Sequence, residues 1–335
     1  MKLTIGADPE IALVNPLSDK YISAQTVLSA GTDRPFGLDG NPTTIEIRPQ
    51  YADDPMELIE NINTLLIKAS KEFPQVFRLE LKPSNPSVIV GGHLHFGHEK
   101  LLITDTRLKV TMALDVLLSP LIACVENPTH RQSRLQSNYG KVGDYRSAPW
   151  GVEYRTPASW IGDRRLAEGV CCLGYAIVDE VLKNGIKLPI PHKELAEVYN
   201  HNMTETIKFY IPTIAKTIKG IPTPYHHKIE YLLSSAKAGR CLFDGEVKKA
   251  WHIKYTSFAT MKAVSLKRLV IKLGQALAVP NEPQQTKWLR FGKDYRVKTI
   301  ANNVSVAIEK IIGVEFLELL PEQYFPYVRG IKYDR

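Results

Sequence analysis

Ser147–Trp160, SAPWGVEYRTPASW, is the stretch on which the reading of the chain turns. At its centre Glu153 and Arg155 stand two apart in a segment with strand character, and side chains two apart on a strand share a face. A carboxylate and a guanidinium displayed together can hold a cation and a phosphate side by side. The same device recurs upstream: Asp8 and Glu10 in IGADPEIALV, Glu46 and Arg48 in TTIEIRP, and His93 and His95 in GGHLHFG. Together the four segments predict one curved sheet whose concave face carries a multi-cation, phosphate-handling site.

Each pair alone has a plainer reading. Glu46 and Arg48 would pass as a surface ion pair, which is worth little in water. His93 and His95 would pass as structural histidines beside the Gly91-Gly92 turn, and Asp8-Pro9-Glu10 as turn chemistry. The coincidence of all four raises the functional reading above these. Carboxylates with one imidazole suit Mg²⁺ or Mn²⁺ better than zinc, which favours cysteine and histidine. Asp8, Glu10, Asp39, Glu46, His93 and Glu153 are the candidate ligands for two or more such ions. Arg48, Arg134, Arg146 and Arg155 would then face phosphate oxygens, a division of labour that matches phosphoryl transfer.

Composition is that of a globular protein with ample material for a core, and the net charge of +8 suits an anionic ligand such as a nucleotide. Nucleic acid is the less favoured partner. No apolar run is expected to reach the ~18–20 residues of a membrane span. MKLTIGADPE enters a strand directly, without the apolar region of a secretory signal. Cys124, Cys171, Cys172 and Cys241 show no metal-site spacing, so reduced thiols and a cytoplasmic location are expected. Walker, GxGxxG, HExxH and GxSxG signatures are absent.

Along the chain, residues 2–6 and 10–14 read as strands broken at Asp8-Pro9, followed by a helix capped by Asp53 or Asp54 and then strands at Val76–Leu81 and Val88–Phe96. A long helix over Thr104–Val125 should be kinked or divided by Pro120. Arg131–Arg146 reads as a ligand-contacting loop, and a helix from Asp163 should end at Gly185. Beyond a boundary near residue 195 the chain reads as mainly helical, over Lys193–Tyr199, Thr206–Ile218, His226–Ala238 and Asn303–Ile312. The domains expected are therefore a core at 1–195 and a basic portion at 196–335. The cluster Lys248–Lys272 reads as a solvated face.

In order, GADPE, DGNPTTIEIRP, GGHLHFG and WGVEYRTPASW resemble the glutamine synthetase / glutamate–cysteine ligase superfamily, most of all its phage-encoded branch, the type-2 COOH–NH2 ligases or amidoligases. The resemblance spans about residues 1–165 and implies an α+β fold with a curved antiparallel sheet, packed helices, ATP and two or more Mg²⁺ or Mn²⁺ ions. It implies metal ligation by Asp8, Glu10, Glu46, His93 and Glu153, with Asp39 a further acid and His95 beside His93. Arg155 would contact phosphate, and Arg146 is similar to a nucleotide-phosphate arginine. Asp8 stands where the best-known members have glutamate, a conservative change for a hard cation.

The activity so implied is ATP-dependent joining of a carboxylate to an amine through an acyl phosphate, on small-molecule, peptide or protein substrates. The alternatives are a phosphotransferase similar to the guanidino kinases and a non-catalytic protein that keeps the sheet. The general base, the substrates and the oligomeric state do not follow from the residues.

Overall fold

The structure, a computed structural model, describes residues 2–16, 19–243 and 245–254, together with the backbone of three strands between 287 and 310. Contacts divide the chain into two units, Met1–Val14 with Tyr21–Lys254, and Asn15–Lys20 with Tyr255–Arg335. The expected boundary near residue 195 falls inside the first unit.

Eleven consecutive residues, Thr4–Val14, form β1, on which the first unit is built. The expected break at Asp8-Pro9 is not there, and the hydrogen-bond ladder explains why proline is tolerated. Ile5 N–H donates to Ala52 on one side of β1, whereas Glu10 N–H donates to Gly91 on the other. Odd-numbered N–H groups therefore face the side where pairing with the next strand begins only at Glu10, so Pro9 forfeits no ladder bond.

β2 (Tyr21–Ile22), β3 (Phe36–Leu38) and β4 (Ile45–Ile47) follow. The helix α1 (Pro55–Glu72) is capped by Asp54, whose Oδ1 accepts from Met56 N–H at 2.7 Å, with Pro55 in its first turn as the sequence predicts. Val76 and Phe77, expected in a strand, lie in the short α2 (Pro74–Phe77), and β5 is confined to Glu80–Lys82. Next come β6 (Gly92–Gly97), α3 (Thr104–Leu117), α4 (Ser119–Val125), α5 (Pro128–Gln136), β7 (Tyr145–Ala148) and β8 (Gly151–Tyr154). Pro120 divides α3 from α4 as expected. The combined stretch Thr104–Val125 is long and apolar enough to cross a membrane, contrary to the expectation, but most of it is buried inside the protein, as in a core helix.

α6 (Arg164–Lys183) is capped by Asp163, whose Oδ1 accepts from Leu166 N–H at 2.8 Å. α7 (His192–Asn200), α8 (Thr204–Lys219), α9 (His226–Ala238) and α10 (Val247–Ala250) complete the first unit, and Gly239 closes α9 with φ +61°. In the second unit β9 (Lys287–Phe291), β10 (Tyr295–Thr299) and β11 (Val306–Lys310) form an antiparallel sheet in the order β11-β10-β9. Val306–Lys310, inside the helix expected over Asn303–Ile312, form a strand instead, and the rest of that range lies outside the described residues. Lys248, expected on a solvated face, is buried, with Nζ donating to the carbonyls of Phe77 and Leu79. Lys262, Lys267, Arg268 and Lys272 lie outside the described residues.

The first sheet has the order β3-β4-β1-β6-β8-β7, all antiparallel, with β2 and β5 also pairing β1. Alternation on β6 separates its faces. Leu94 and Phe96 are fully buried and meet α6, where a Cβ on Gly174 would lie 3.2 Å from each. Removing each such side chain from water contributes ~1.5–3 kcal/mol. His93 and His95 take the opposite face, so the helical layer and the polar row lie on opposite sides of one strand.

Candidate active site

Register brings the four pairs together. Glu46 lies opposite Glu10, Asp8 opposite His93, and His95 opposite Glu153, which in turn lies opposite Arg146. One face of four adjacent strands and the edge strand β7 therefore carries a continuous row of acids and imidazoles ending in guanidinium groups.

The contacts along that row are close. His93 Nδ1 is 3.1 Å from Asp8 Oδ1 and 3.6 Å from Glu153 Oε1, and His95 Nε2 is 3.2 Å from Asp8 Oδ2. The imidazole–Asp8 contacts are near in distance but poorly directed, and Asp8 Oδ1 and His95 Nε2 remain buried without a hydrogen-bond partner. Asp8, His95 and Glu153 each offer one atom within 4.8 Å of the others, a separation that one ion can span. Buried polar atoms without partners are costly, and an oxygen-rich set with one imidazole fits Mg²⁺ or Mn²⁺.

Hydrogen bonds and ion pairs link the neighbouring residues to this group. His93 meets the Tyr139 hydroxyl at 2.7 Å through Nε2, so both its nitrogens have neighbours. The same hydroxyl donates to Glu10 Oε1 at 3.1 Å, while Glu10 Oε2 accepts from Gly91 N–H at 3.0 Å. Arg146 grips Glu153 Oε2 through Nε at 2.6 Å and Nη2 at 2.5 Å, and its side chain is 65% exposed. Arg155 Nε is 3.5 Å from Glu153 Oε1, with its guanidinium 5.8 Å from the centre of the Tyr139 ring. Arg48 is in direct contact with Glu46 and also donates to the carbonyls of Arg34 and Leu38. Asp39 sits in the turn after β3, accepting from Gly40 N–H and Asn41 N–H.

The electrostatics record the crowding of acids. Burial alone would push the Asp8 carboxyl up, but the adjacent imidazoles of His93 and His95 outweigh it and hold Asp8 well below its usual range. Burial would likewise lower His93, yet Asp8 raises it. Glu10 is raised by burial and by the charge of Asp39, and Glu46 is pushed up to about 9 by burial and by Asp8, despite Arg48.

One expectation changes with the geometry. Arg134 is not on the expected ligand loop but inside α5, with Nε and Nη2 on the Glu126 carboxylate and Nη1 on the Thr156 carbonyl; only 3% of it is exposed. Its nitrogens are committed to the fold. His95 forms a closely spaced group with Asp8 and Glu153, and His93 also lies within 3.6 Å of both acids. Tyr139 was not singled out in the sequence; its signal was only the density of tyrosine, arginine and glycine around YGKVGDYR. Gly91 is needed beside it, since a Cβ there would lie 2.5 Å from the Tyr139 hydroxyl and 2.8 Å from His93 Nε2.

Fold and site together define an α+β protein whose antiparallel sheet presents an acid–imidazole–arginine row on the face away from its helices. Residues 5–253 match the family described as phage phiEco32-like COOH.NH2 ligase-type 2. The chain belongs to this family of carboxylate–amine ligases. No curated protein matches the sequence. Among solved structures, a bifunctional glutathione synthetase from Pasteurella multocida is similar at 9% identity and a TM-score of 0.46, over 92% of this chain and 59% of that one. The chain thus spans less than two thirds of that protein's length. The complex between the prokaryotic ubiquitin-like protein Pup and its ligase PafA contains a chain similar at 10% identity and a TM-score of 0.43, over 81% of this chain and 70% of that one. Similarity at this level carries no functional inference.

Proposed function

We propose that the protein uses ATP with two or more Mg²⁺ or Mn²⁺ ions to join a carboxylate to an amine. The observation that carries this reading is the row from Glu46 through Glu10, Asp8, His95 and Glu153 to Arg146 and Arg155 on one sheet face. Asp8, His95 and Glu153 would hold one ion, and Glu10 and Glu46, with Asp39 nearby, would hold another. Bound there, the ions would neutralise charge on the phosphates of ATP.

Arg146 and Arg155 stand at the end of the row where phosphate oxygens would lie. Arg146 suits the task because its guanidinium is exposed while anchored through Glu153. His93 lies 3.1 Å from Asp8 and is itself held by Tyr139, so it is placed to join either ion's shell. The substrate carboxylate oxygen attacks the γ-phosphorus, and ADP departs with the bond pair. The amine nitrogen then forms the C–N bond, the acyl C–O bond breaks, and the nitrogen's proton leaves with the phosphate.

The test is ADP release across amino acids, polyamines and small peptides with Mg²⁺ or Mn²⁺, followed by mass spectrometry of the product. An amide whose formation is matched by ADP is the expected result. A stable phosphorylated product formed without any amine would identify a phosphotransferase instead.

A further inference from the structure

Tyr139 reaches the row from the loop of residues 137–144, between α5 and β7. Val142 is the only aliphatic side chain in that loop and is half-buried, so little apolar area fixes its course. Asn138, Gly140 and Gly143 have φ of +57°, +67° and +88°. A backbone with this many left-handed residues keeps its path only where the surroundings hold it.

Hydrogen bonds supply the hold. Two come from the chain on either side of the loop: Tyr139 N–H donates to the Arg134 carbonyl at 3.1 Å, and Thr156 Oγ1 donates to the Lys141 carbonyl at 2.9 Å. Two more come from elsewhere in the fold. Val142 N–H donates to Asn200 Oδ1 at 3.0 Å, and Gly143 N–H donates to the Asp115 carboxylate. His192 Nε2 in turn lies 2.7 Å from Asp115 Oδ2. His192 and Asn200 are the first and last residues of α7. One short helix therefore braces the loop from both of its ends, once directly and once through Asp115.

The loop delivers the Tyr139 hydroxyl between Glu10 Oε1, at 3.1 Å, and His93 Nε2, at 2.7 Å. A hydroxyl shared by two candidate ligands fixes where the remaining atoms of each can point. A displacement of ~1 Å would take it out of hydrogen-bond range of one or the other.

We propose that Asn200 and His192 are positioning residues for the ion-holding row: through the 137–144 loop they keep the Tyr139 hydroxyl between Glu10 and His93. This rests on the ion sites of the ligase reading above and adds to them a control exerted by α7, a helix outside the sheet.

Mn²⁺ binding by calorimetry, without ATP or substrates, tests this in the full chain. Asn200→Ala deletes the acceptor for Val142 N–H, whereas Asn200→Asp keeps an acceptor oxygen in the same place. His192→Ala acts at the other end of the helix, so a folding defect in one variant leaves the other. Asn200→Ala and His192→Ala are expected to raise the Kd for Mn²⁺ by ~3-fold or more, with Asn200→Asp close to the parent. In a Tyr139→Phe background neither alanine should weaken binding further, because the hydroxyl that α7 positions is gone. Hydrogen exchange over residues 139–143 should quicken in Asn200→Ala.

Unchanged Mn²⁺ affinity in both alanine variants, whatever happens to Tm, shows a merely structural helix and overturns the proposal. An equal further loss of affinity in the Tyr139→Phe background overturns it too, since α7 then acts by another route. Absence of ADP release with any donor and amine sinks the ligase reading and leaves these affinities standing. A parent protein that binds no Mn²⁺ overturns both.

Discussion

Glu10 on β1 stands directly opposite Glu46 on β4, and both carboxyls are raised above their ordinary range. Like charges facing each other across strands destabilise a sheet. The guanidinium of Arg48 touches Glu46 and still leaves it raised to about 9. A proton or a cation between the two strands relieves the repulsion, and the two compete for the same oxygens.

This competition sets the pH dependence of stability without metal. Glu46 ionises near 4.5 in the unfolded chain and near 9 in the folded one. Between those values the folded state binds more protons than the unfolded state, so Glu46 makes stability fall as pH rises through that window. In EDTA, Glu46→Gln should flatten the fall in Tm between pH 5 and pH 9 relative to the unaltered protein. Saturating Mn²⁺ should flatten it as well, since the ion takes the place of the proton. Parallel Tm profiles for the variant and the parent would remove Glu46 from this role.

Glu153→Gln should weaken Mn²⁺ binding by ~10-fold or more in calorimetry. Far-UV circular dichroism should not change, because β8 keeps its pairing with β6 and β7. Equal Mn²⁺ affinity in variant and parent would exclude Glu153 as a ligand.

Two arginines close in sequence should behave in opposite ways. Arg146→Ala, at a 65% exposed side chain, leaves Glu153 with Arg155 and His93 within 3.6 Å and should cost less than ~1 kcal/mol while raising the KM for ATP. Arg134→Ala leaves Glu126 buried without its partner and should cost ~3–5 kcal/mol in urea denaturation. The reverse order of stabilities would contradict the placement of both.

Gly91→Ala drives a methyl group against the Tyr139 hydroxyl and His93 Nε2. A cost of ~1–3 kcal/mol is expected, together with weaker Mn²⁺ binding as Glu10 loses its anchors. Tyr139→Phe should reproduce the weaker binding with a smaller loss of stability, since only the hydroxyl is removed.

Asp115 is fully buried on α3 and holds several elements at once. Its Oδ1 accepts from the Tyr154 hydroxyl at 2.8 Å, and its Oδ2 meets His192 Nε2 at 2.7 Å. Asp115→Ala should cost ~3–5 kcal/mol in urea denaturation by stranding these partners, whereas a cost below ~1 kcal/mol would show that Tyr154 and His192 find other partners.

Much of this was written in the sequence because it depends on local covalent geometry. Residues two apart on a strand share a face whatever surrounds them, so Asp8 with Glu10, Glu46 with Arg48, His93 with His95 and Glu153 with Arg155 could be paired by eye. Asp54 and Asp163 as helix caps, and Pro120 as a divider, follow from side chains acting on their own backbone. Helix and strand were harder to separate where runs were short: Val76 and Phe77 alternate like a strand yet fold as a helical turn before β5.

Register and burial came only with the tertiary structure. How both histidines of β6 meet Asp8 and Glu153 depends on how β6 aligns with β1 and β8, and that alignment is set by ladders between segments far apart in the chain. Arg134 looked free to bind phosphate until α5 carried it against Glu126, and Tyr139 gained its role only when its loop swung over Glu10. A sequence fixes which chemical groups lie side by side along the backbone, but distances between distant strands are decided by the packing that closes them.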